Sequence, residues 1–335
     1  MKQLLKLSAA SLLVVGALSV QASTLSDVQA KGHVSCGVSK GLAGFSSADS
    51  SGTWTGIDVD VCRAVAAATL GDATKVKFVP LTAKERFTAL QSGEIDMLSR
   101  NTTWTITRDA SLGLNFAGVN YYDGQGFMVK SSLGVSSAME LSGAAICIQA
   151  GTTTELNLAD WGKANGIEYN SVVSDTNAQT LTNYDAGRCD VLTTDASGLY
   201  SMRAAASDPS EHVVLPEIIS KEPLGPVVRQ GDDEWFNIVK WTLIAMIQAE
   251  ESGVTSENID TVTTNPTVER LAGRASQTHE YLHLSPSWSY DIIKQVGNYG
   301  ESFERNIGVN TPIGLSRGPN QLWTKGGILY APAFR

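Results

Sequence analysis

Glu85-Arg86-Phe87-Thr88-Ala89-Leu90-Gln91-Ser92-Gly93-Glu94-Ile95-Asp96-Met97-Leu98-Ser99-Arg100-Asn101 is the stretch on which the fold turns. Phe87 and Leu90 are apolar at helical spacing, Gly93 is placed to end a helix in the left-handed conformation, and Ile95 to Ser99 reads as extended. The pattern returns later in the chain. There Leu181 and Tyr184 take the helical positions, Gly187 is the stop, and Cys189-Asp190-Val191-Leu192-Thr193 is the strand. The shared signature is Gly-x-x-Asp-x-Leu-Ser/Thr, carried by Gly93, Asp96, Leu98 and Ser99 and again by Gly187, Asp190, Leu192 and Thr193.

The surroundings repeat as well. Each copy follows a strand ending at a glycine (His33 to Gly37, Ala144 to Gly151), then a helix and a short strand (Lys75 to Pro80, Tyr169 to Val173). Two α/β units in sequence predict two mainly parallel sheets with helices on both faces. In the first helix, Asp58 reads as N-cap, Val61, Val65 and Ala68 share a face, and Gly71 is the stop. Tyr121 to Lys130 and Pro216 to Val228 read as paired crossovers between lobes, and the apolar helix Trp235 to Glu250, with no sheet of its own, is expected to return to the first lobe. The expected division is 23–122 with 226–335 as lobe 1 and its C-terminal extension, and 123–225 as lobe 2. Ligands of open α/β sheets bind outside the carboxyl ends of the strands, so the lobes should share a cleft there.

Lys2 and Lys6 precede an apolar, small-residue run from Leu7 to Val20, and Val20-Gln21-Ala22 fits signal-peptide cleavage, so residues 1–22 read as a signal and Ser23 as the mature start. No later run reaches the ~20 apolar residues of a membrane helix. With no cysteine just after the cleavage site to take a lipid, a free periplasmic protein of a Gram-negative cell is expected. The net charge of −9 becomes −11 once the two signal lysines leave 23 basic against 34 acidic residues, which argues against nucleic acid and anionic membrane as partners. Cys36, Cys62, Cys147 and Cys189 allow three pairings or four buried thiols. Cys36 with Cys62 and Cys147 with Cys189 keeps each bridge inside one half of the chain.

Candidate site residues follow the strand ends. In Ser99 to Asp109, a segment rich in hydroxyls, Arg108 is placed to grip a carboxylate through two parallel hydrogen bonds, or to pair with Asp109 at the surface. Gly151-Thr152-Thr153-Thr154-Glu155 opens a helix after a strand and serves an anion, an N-cap, or both. Asp195, past the second repeat, suits an ammonium or an N-cap. Arginine and threonine for a carboxylate with aspartate for an ammonium form the recognition set of an α-amino acid.

The chain resembles the polar amino-acid substrate-binding proteins of ABC transporters (family 3), in their general L-amino-acid and glutamate/glutamine-type branch. The resemblance spans the mature chain through Cys36-Gly37-Val38, Gly56 to Ala64, Arg100-Asn101-Thr102-Thr103-Trp104, Tyr121 to Phe127, Gln149 to Glu155 and Lys294 to Glu301. It implies a two-lobed type II periplasmic-binding-protein fold that captures free L-amino acids and hands them to a membrane permease. It further implies that Arg108, with Thr103 and Thr153, holds the α-carboxylate, that Asp195 and Thr103 hold the α-ammonium, and that Asn101 lines the pocket. Leu42 stands where many relatives place an aromatic, which leaves Phe45 or Trp104 to supply a side-chain platform. A monomer without cofactor or catalytic residues is expected, as no nucleophile elbow, phosphate loop or dinucleotide fingerprint occurs.

One rival stands in the sequence. His279-Glu280-Tyr281-Leu282-His283 matches the zinc-peptidase pattern H-E-x-x-H, with Glu301 available as a third ligand. Polar residues before it and Leu284-Ser285-Pro286 after it favour an exposed loop or short helix in the extension.

Overall fold

A computed structural model describes residues 23–335 apart from 264 and 276; the signal-peptide reading lies outside the described residues. Fourteen strands are named in chain order: β1 (Val34–Ser39), the hairpin β2 (Ser47–Ala48) and β3 (Trp54–Thr55), β4 (Val76–Leu81), β5 (Met97–Leu98), β6 (Leu114–Phe116), β7 (Tyr121–Asp123), β8 (Gln125–Lys130), β9 (Ala145–Gln149), β10 (Asn170–Ser174), β11 (Val191–Asp195), β12 (His212–Val214), β13 (Glu222–Leu224) and β14 (Val227–Arg229). They build two five-stranded sheets of the same design, ordered β4-β1-β5-β14-β6 and β10-β9-β11-β8-β12. In each sheet the first three strands are parallel and the fourth is antiparallel to both of its neighbours.

That reversed strand is the one delivered by a crossover. The chain leaves the first sheet through β7 and enters the second as β8, then leaves through β13 and re-enters the first as β14. β7 and β13 pair antiparallel, with Tyr122 opposite Pro223 and Asp123 opposite Glu222. Gly225 lets the second crossover pass the first lobe closely, because a Cβ there would lie 1.9 Å from the Gly118 carbonyl oxygen. Helix Asp233–Glu251 packs against helix Ile57–Leu70 of the first lobe, as expected, and Trp235 donates its indole N–H to the Asp96 carbonyl at 3.0 Å. Both disulfides form within lobes, Cys36–Cys62 and Cys147–Cys189, with Cα atoms 6.1 and 5.6 Å apart. Among the described residues no helix is long and apolar enough to cross a membrane.

The first helix departs from expectation. Its N-cap is Gly56, not Asp58, because the backbone there has φ 131° and a Cβ would lie 2.0 Å from the Phe45 carbonyl oxygen. Asp58 sits in the first turn, buried, and its carboxylate reaches the loop after β5. Val61, Val65 and Ala68 do form a buried face, and Gly71 closes the helix in the left-handed conformation.

The C-terminal extension braces the first lobe. Helix Trp288–Val296 lies on helix Ile57–Leu70, and Asp60 accepts hydrogen bonds from Ser302, Arg305 and Asn306 at 2.6, 2.7 and 2.7 Å. Arg317 forms a bidentate pair with Glu250, both bonds 3.0 Å, and its guanidinium sits 4.8 Å from the Phe303 ring centre. Beyond it, Asn320 accepts from the Tyr122 N–H at 2.7 Å and donates to the Tyr122 carbonyl at 3.0 Å. Tyr122 faces Pro223, so these backbone groups point away from β13 and would otherwise be orphaned.

Candidate functional site

One segment from the first sheet and two from the second converge between the lobes. The loop after β5 brings Asn101, Thr103 and Arg108; helix Thr153–Asn165, after β9, brings Thr153 at its first turn; Asp195 ends β11. Across the cleft, Asn101 Nδ2 donates to Asp195 Oδ2 at 3.3 Å, and the Thr103 and Thr153 hydroxyl oxygens lie 3.2 Å apart. Further out, Ser201 donates to the Ala43 carbonyl and Lys84 pairs with Asp175, both at 2.8 Å.

The Asn101 backbone takes the left-handed conformation, φ 35°, unusual for a residue other than glycine. Its support is Asp58, which accepts the Asn101 N–H at 2.7 Å and the Asn120 amide at 3.0 Å. Burial raises the Asp58 pKa to about 6 against these bonds and the nearby Arg100 charge. The acid that reads as a helix cap in the sequence therefore shapes the cleft loop.

Arg108 is 7% exposed and forms no ion pair among the described residues; the surface pairing with Asp109 does not occur. Nη1 donates to the Thr103 carbonyl at 2.8 Å, and Asp109 instead accepts the Trp104 indole N–H at 3.1 Å. Arg86, missed in the sequence, is buried beside it, and both guanidiniums lie over the Phe87 ring, at 4.8 and 5.1 Å. Arg86 Nε has no hydrogen-bond partner, and Nη1 reaches only the Thr102 hydroxyl at 3.4 Å. Burial, then the charges of Arg100 and Arg108, lower its pKa well below the usual value. Burial also lowers Arg108, opposed by Glu222 and Asp195, and brings Arg100 down to about 10.

The opposite wall is acidic. Asp195 is 6% exposed, and burial, followed by the neighbouring Asp123 and Glu222 charges, pushes its pKa well up. Burial brings Asp123 to about 6, although Ser197 donates its hydroxyl to it. Glu222, also missed in the sequence, is 1% exposed and accepts four bonds: from Thr103 and Thr153 on Oε2, at 2.5 and 2.9 Å, and from Asn157 and Ser220 on Oε1, at 2.6 and 2.7 Å. Its only sequence signal was an acid placed within a crossover.

Phe45 is buried edge-on against Tyr121, ring centres 5.4 Å apart, and Trp104 is 40% exposed and stacked on Phe116 at 5.5 Å. Thr152 stands at the N-cap position before Thr153 but makes no side-chain cap bond, its hydroxyl donating to the Gln149 carbonyl at 2.7 Å, while Glu155 accepts the Gly151 N–H at 2.7 Å.

Residues 34–258 match the bacterial extracellular solute-binding proteins, family 3. The chain belongs to that family. Within it, the chain is 60% identical to the general L-amino acid-binding periplasmic protein AapJ of Rhizobium johnstonii over 97% of each chain. It is 55% identical to the glutamate/glutamine/aspartate/asparagine-binding protein BztA of Rhodobacter capsulatus over 96% of each. A solved periplasmic binding protein from Brucella ovis, with glutathione bound, is 57% identical and superposes with a TM-score of 0.91 over 94% of this chain and 100% of that one.

Neither family membership nor geometry supports the zinc-peptidase rival. Helix Thr278–Leu282 stops before His283, which takes the left-handed conformation, φ 54°, and bonds Glu234 at 2.5 Å, so the two histidines do not share a helical face. Glu301 is engaged elsewhere, accepting from the Asn298 N–H at 2.7 Å and the Ser256 hydroxyl at 2.6 Å. Among the described residues no group of three metal-binding side chains occurs.

Proposed function

We propose that the chain is an exported, monomeric periplasmic receptor that captures free L-amino acids by lobe closure and presents them to an ABC transporter permease, without catalysis. Residues 23–122 and 226–335 form one jaw and 123–225 the other. The observation that carries this reading is the division of charge across one buried cleft: Arg86, Arg100 and Arg108 on one wall, Asp123, Asp195 and Glu222 on the other. A zwitterion supplies what each wall lacks. Its carboxylate meets Arg108, which forms no ion pair among the described residues, and its ammonium meets Asp195, whose negative charge burial disfavours. Asn101, Thr103 and Thr153 complete the contact set, with Phe45 and Trp104 flanking it.

Only a ligand that binds the closed state better than the open one draws the lobes together. A zwitterion seated between the two walls does so, because it repays the desolvation of both only when they face each other. Arg86 extends the reading to the ligand's side chain. A second buried guanidinium with an unbonded Nε favours a carboxylate or amide at the far end, so acidic and amide amino acids are the preferred class. Glutathione deserves inclusion as a test ligand, since its γ-glutamyl end carries the same free carboxylate and ammonium and the Brucella ovis relative is solved with it.

A thermal-shift screen of the common L-amino acids and glutathione tests the reading, since a ligand of the folded state raises the melting temperature. Glutamate, glutamine, aspartate and asparagine should give the largest shifts. No shift with any amino acid, confirmed by calorimetry, overturns it.

A further inference from the structure

We infer that Glu222 is a positioning residue that fixes the hydrogen-bond polarity of the clamp, committing the hydroxyl protons of Thr103 and Thr153 to itself so that both oxygens face the ligand as acceptors for its ammonium. The inference rests on the amino-acid reading above. It departs from the role that the family resemblance implies for Thr153, which is to assist Arg108 at the carboxylate, and it keeps the Thr103 hydroxyl for the ammonium alone.

A carboxylate only accepts, and a threonine hydroxyl has a single proton. Thr103 and Thr153 donate to the same oxygen of Glu222, at 2.5 and 2.9 Å, so neither proton is left for a ligand carboxylate. The 3.2 Å approach of the two hydroxyl oxygens is then a contact between groups that share one acceptor. What they offer outward is lone pairs. Together with the Asp195 carboxylate they make an acceptor-only set, suited to the three N–H bonds of an ammonium. The α-carboxylate falls to Arg108 and to backbone N–H groups.

Glu222 is held in this role from both lobes. Its other oxygen is fixed by Asn157, on the same helix as Thr153, and by Ser220, at 2.6 and 2.7 Å. Its strand is tied to the first lobe, because Leu224 bridges Thr103 and Pro223 accepts the Trp104 N–H at 2.8 Å. Both hydroxyls can reach one carboxylate oxygen only when the lobes are together, so the polarity of the clamp is set on closure.

The test uses calorimetry on the full mature chain, comparing wild type, Thr153→Val and Glu222→Gln with two probes: L-glutamate, and glutarate, which keeps both carboxylates and lacks the ammonium. Thr153→Val should weaken L-glutamate about tenfold or more, the worth of a hydrogen bond to a charged group, and leave glutarate within about twofold. Glu222→Gln, whose amide can donate and so release a hydroxyl proton, should likewise cut the preference for L-glutamate over glutarate by about tenfold or more. A merely structural loss would weaken both probes alike, and that outcome overturns the inference. Should glutarate bind wild type too weakly to measure, the α-carboxamide of L-glutamate replaces it. Thr153→Val must then weaken the carboxamide by the same factor as L-glutamate, and an unchanged carboxamide affinity overturns the inference. A wild type that binds no amino acid fails at the screen above, before these variants are reached, so the two failures are distinct.

Discussion

The two lobes have the same strand order and opposite chemistry. Each sheet places its reversed crossover strand fourth, and each tethers its second strand by a disulfide, through Cys36 in one and Cys147 in the other. Yet the first lobe presents three buried guanidiniums and is braced by the C-terminal extension through Asp60, while the second contributes Asp195 and the Thr153 helix end. The shared strand order supplies the frame, and the side chains at the strand ends give the space between the sheets two unlike walls. The braced lobe carries the costlier charges, since an unpaired buried guanidinium needs surroundings that do not relax around it.

The sharpest way to break this comparison is to remove one wall at a time. Arg108→Ala should weaken amino-acid binding about a hundredfold or more, as expected for truncating one partner of a buried charge pair, and should leave the ligand-free melting temperature unchanged or higher, because an unpaired buried cation is lost. Calorimetry and thermal melting check both; near-normal affinity would remove Arg108 from the site. Asp195→Asn should cost about tenfold or more in affinity through the other wall and also raise ligand-free stability.

Proton titration reports on the buried acids without mutation. Asp58 and Asp123, both near 6, and Asp195, also raised, bind protons more tightly folded than unfolded. Their charging therefore destabilises the fold as pH rises from near 4 through 6, and acidifying from pH 7.5 to 5 should relieve it. The melting temperature of the ligand-free protein should rise over that interval through these groups while amino-acid affinity falls, because the ammonium loses its carboxylates. A narrowing gap between ligand-bound and ligand-free melting curves is the expected record, and Asp195→Asn should flatten it.

Smaller effects probe the brace. Asn320→Ala should lower stability by about 1 kcal/mol, the order of a lost buried hydrogen bond, seen as a reduced denaturation midpoint. Glu280→Gln, on an exposed surface, should change neither binding nor stability beyond about 0.5 kcal/mol.

The repeat made the fold legible, because Gly93 and Gly187 mark the same helix-to-strand turn and strand ends locate a cleft. Strand ends drew attention to Arg108, Thr153 and Asp195 and the family resemblance to Asn101 and Thr103, and the fold gathers these five between the two sheets. Arg86 was not legible, since an arginine near Phe87 on a helix reads as a solvated face until the tertiary fold buries it. Glu222 was hidden by its place in a crossover, and Asp58 by its resemblance to a cap. In each case the deciding partner is far away in the chain: Thr153 for Glu222, Asn101 for Asp58. Spacing within one element carries no information about such meetings.

The bond between Asn320 and Tyr122 also bears on mechanics. It grips the outer edge of a ribbon whose inner edge is already held by β13, and a ribbon clamped along both edges resists torsion more than one clamped along a single edge. On the lobe-closure reading proposed above, the tail would act as a leaf spring laid along the pivot, and its sequence would set how fast the jaws swing without altering an atom that the ligand touches.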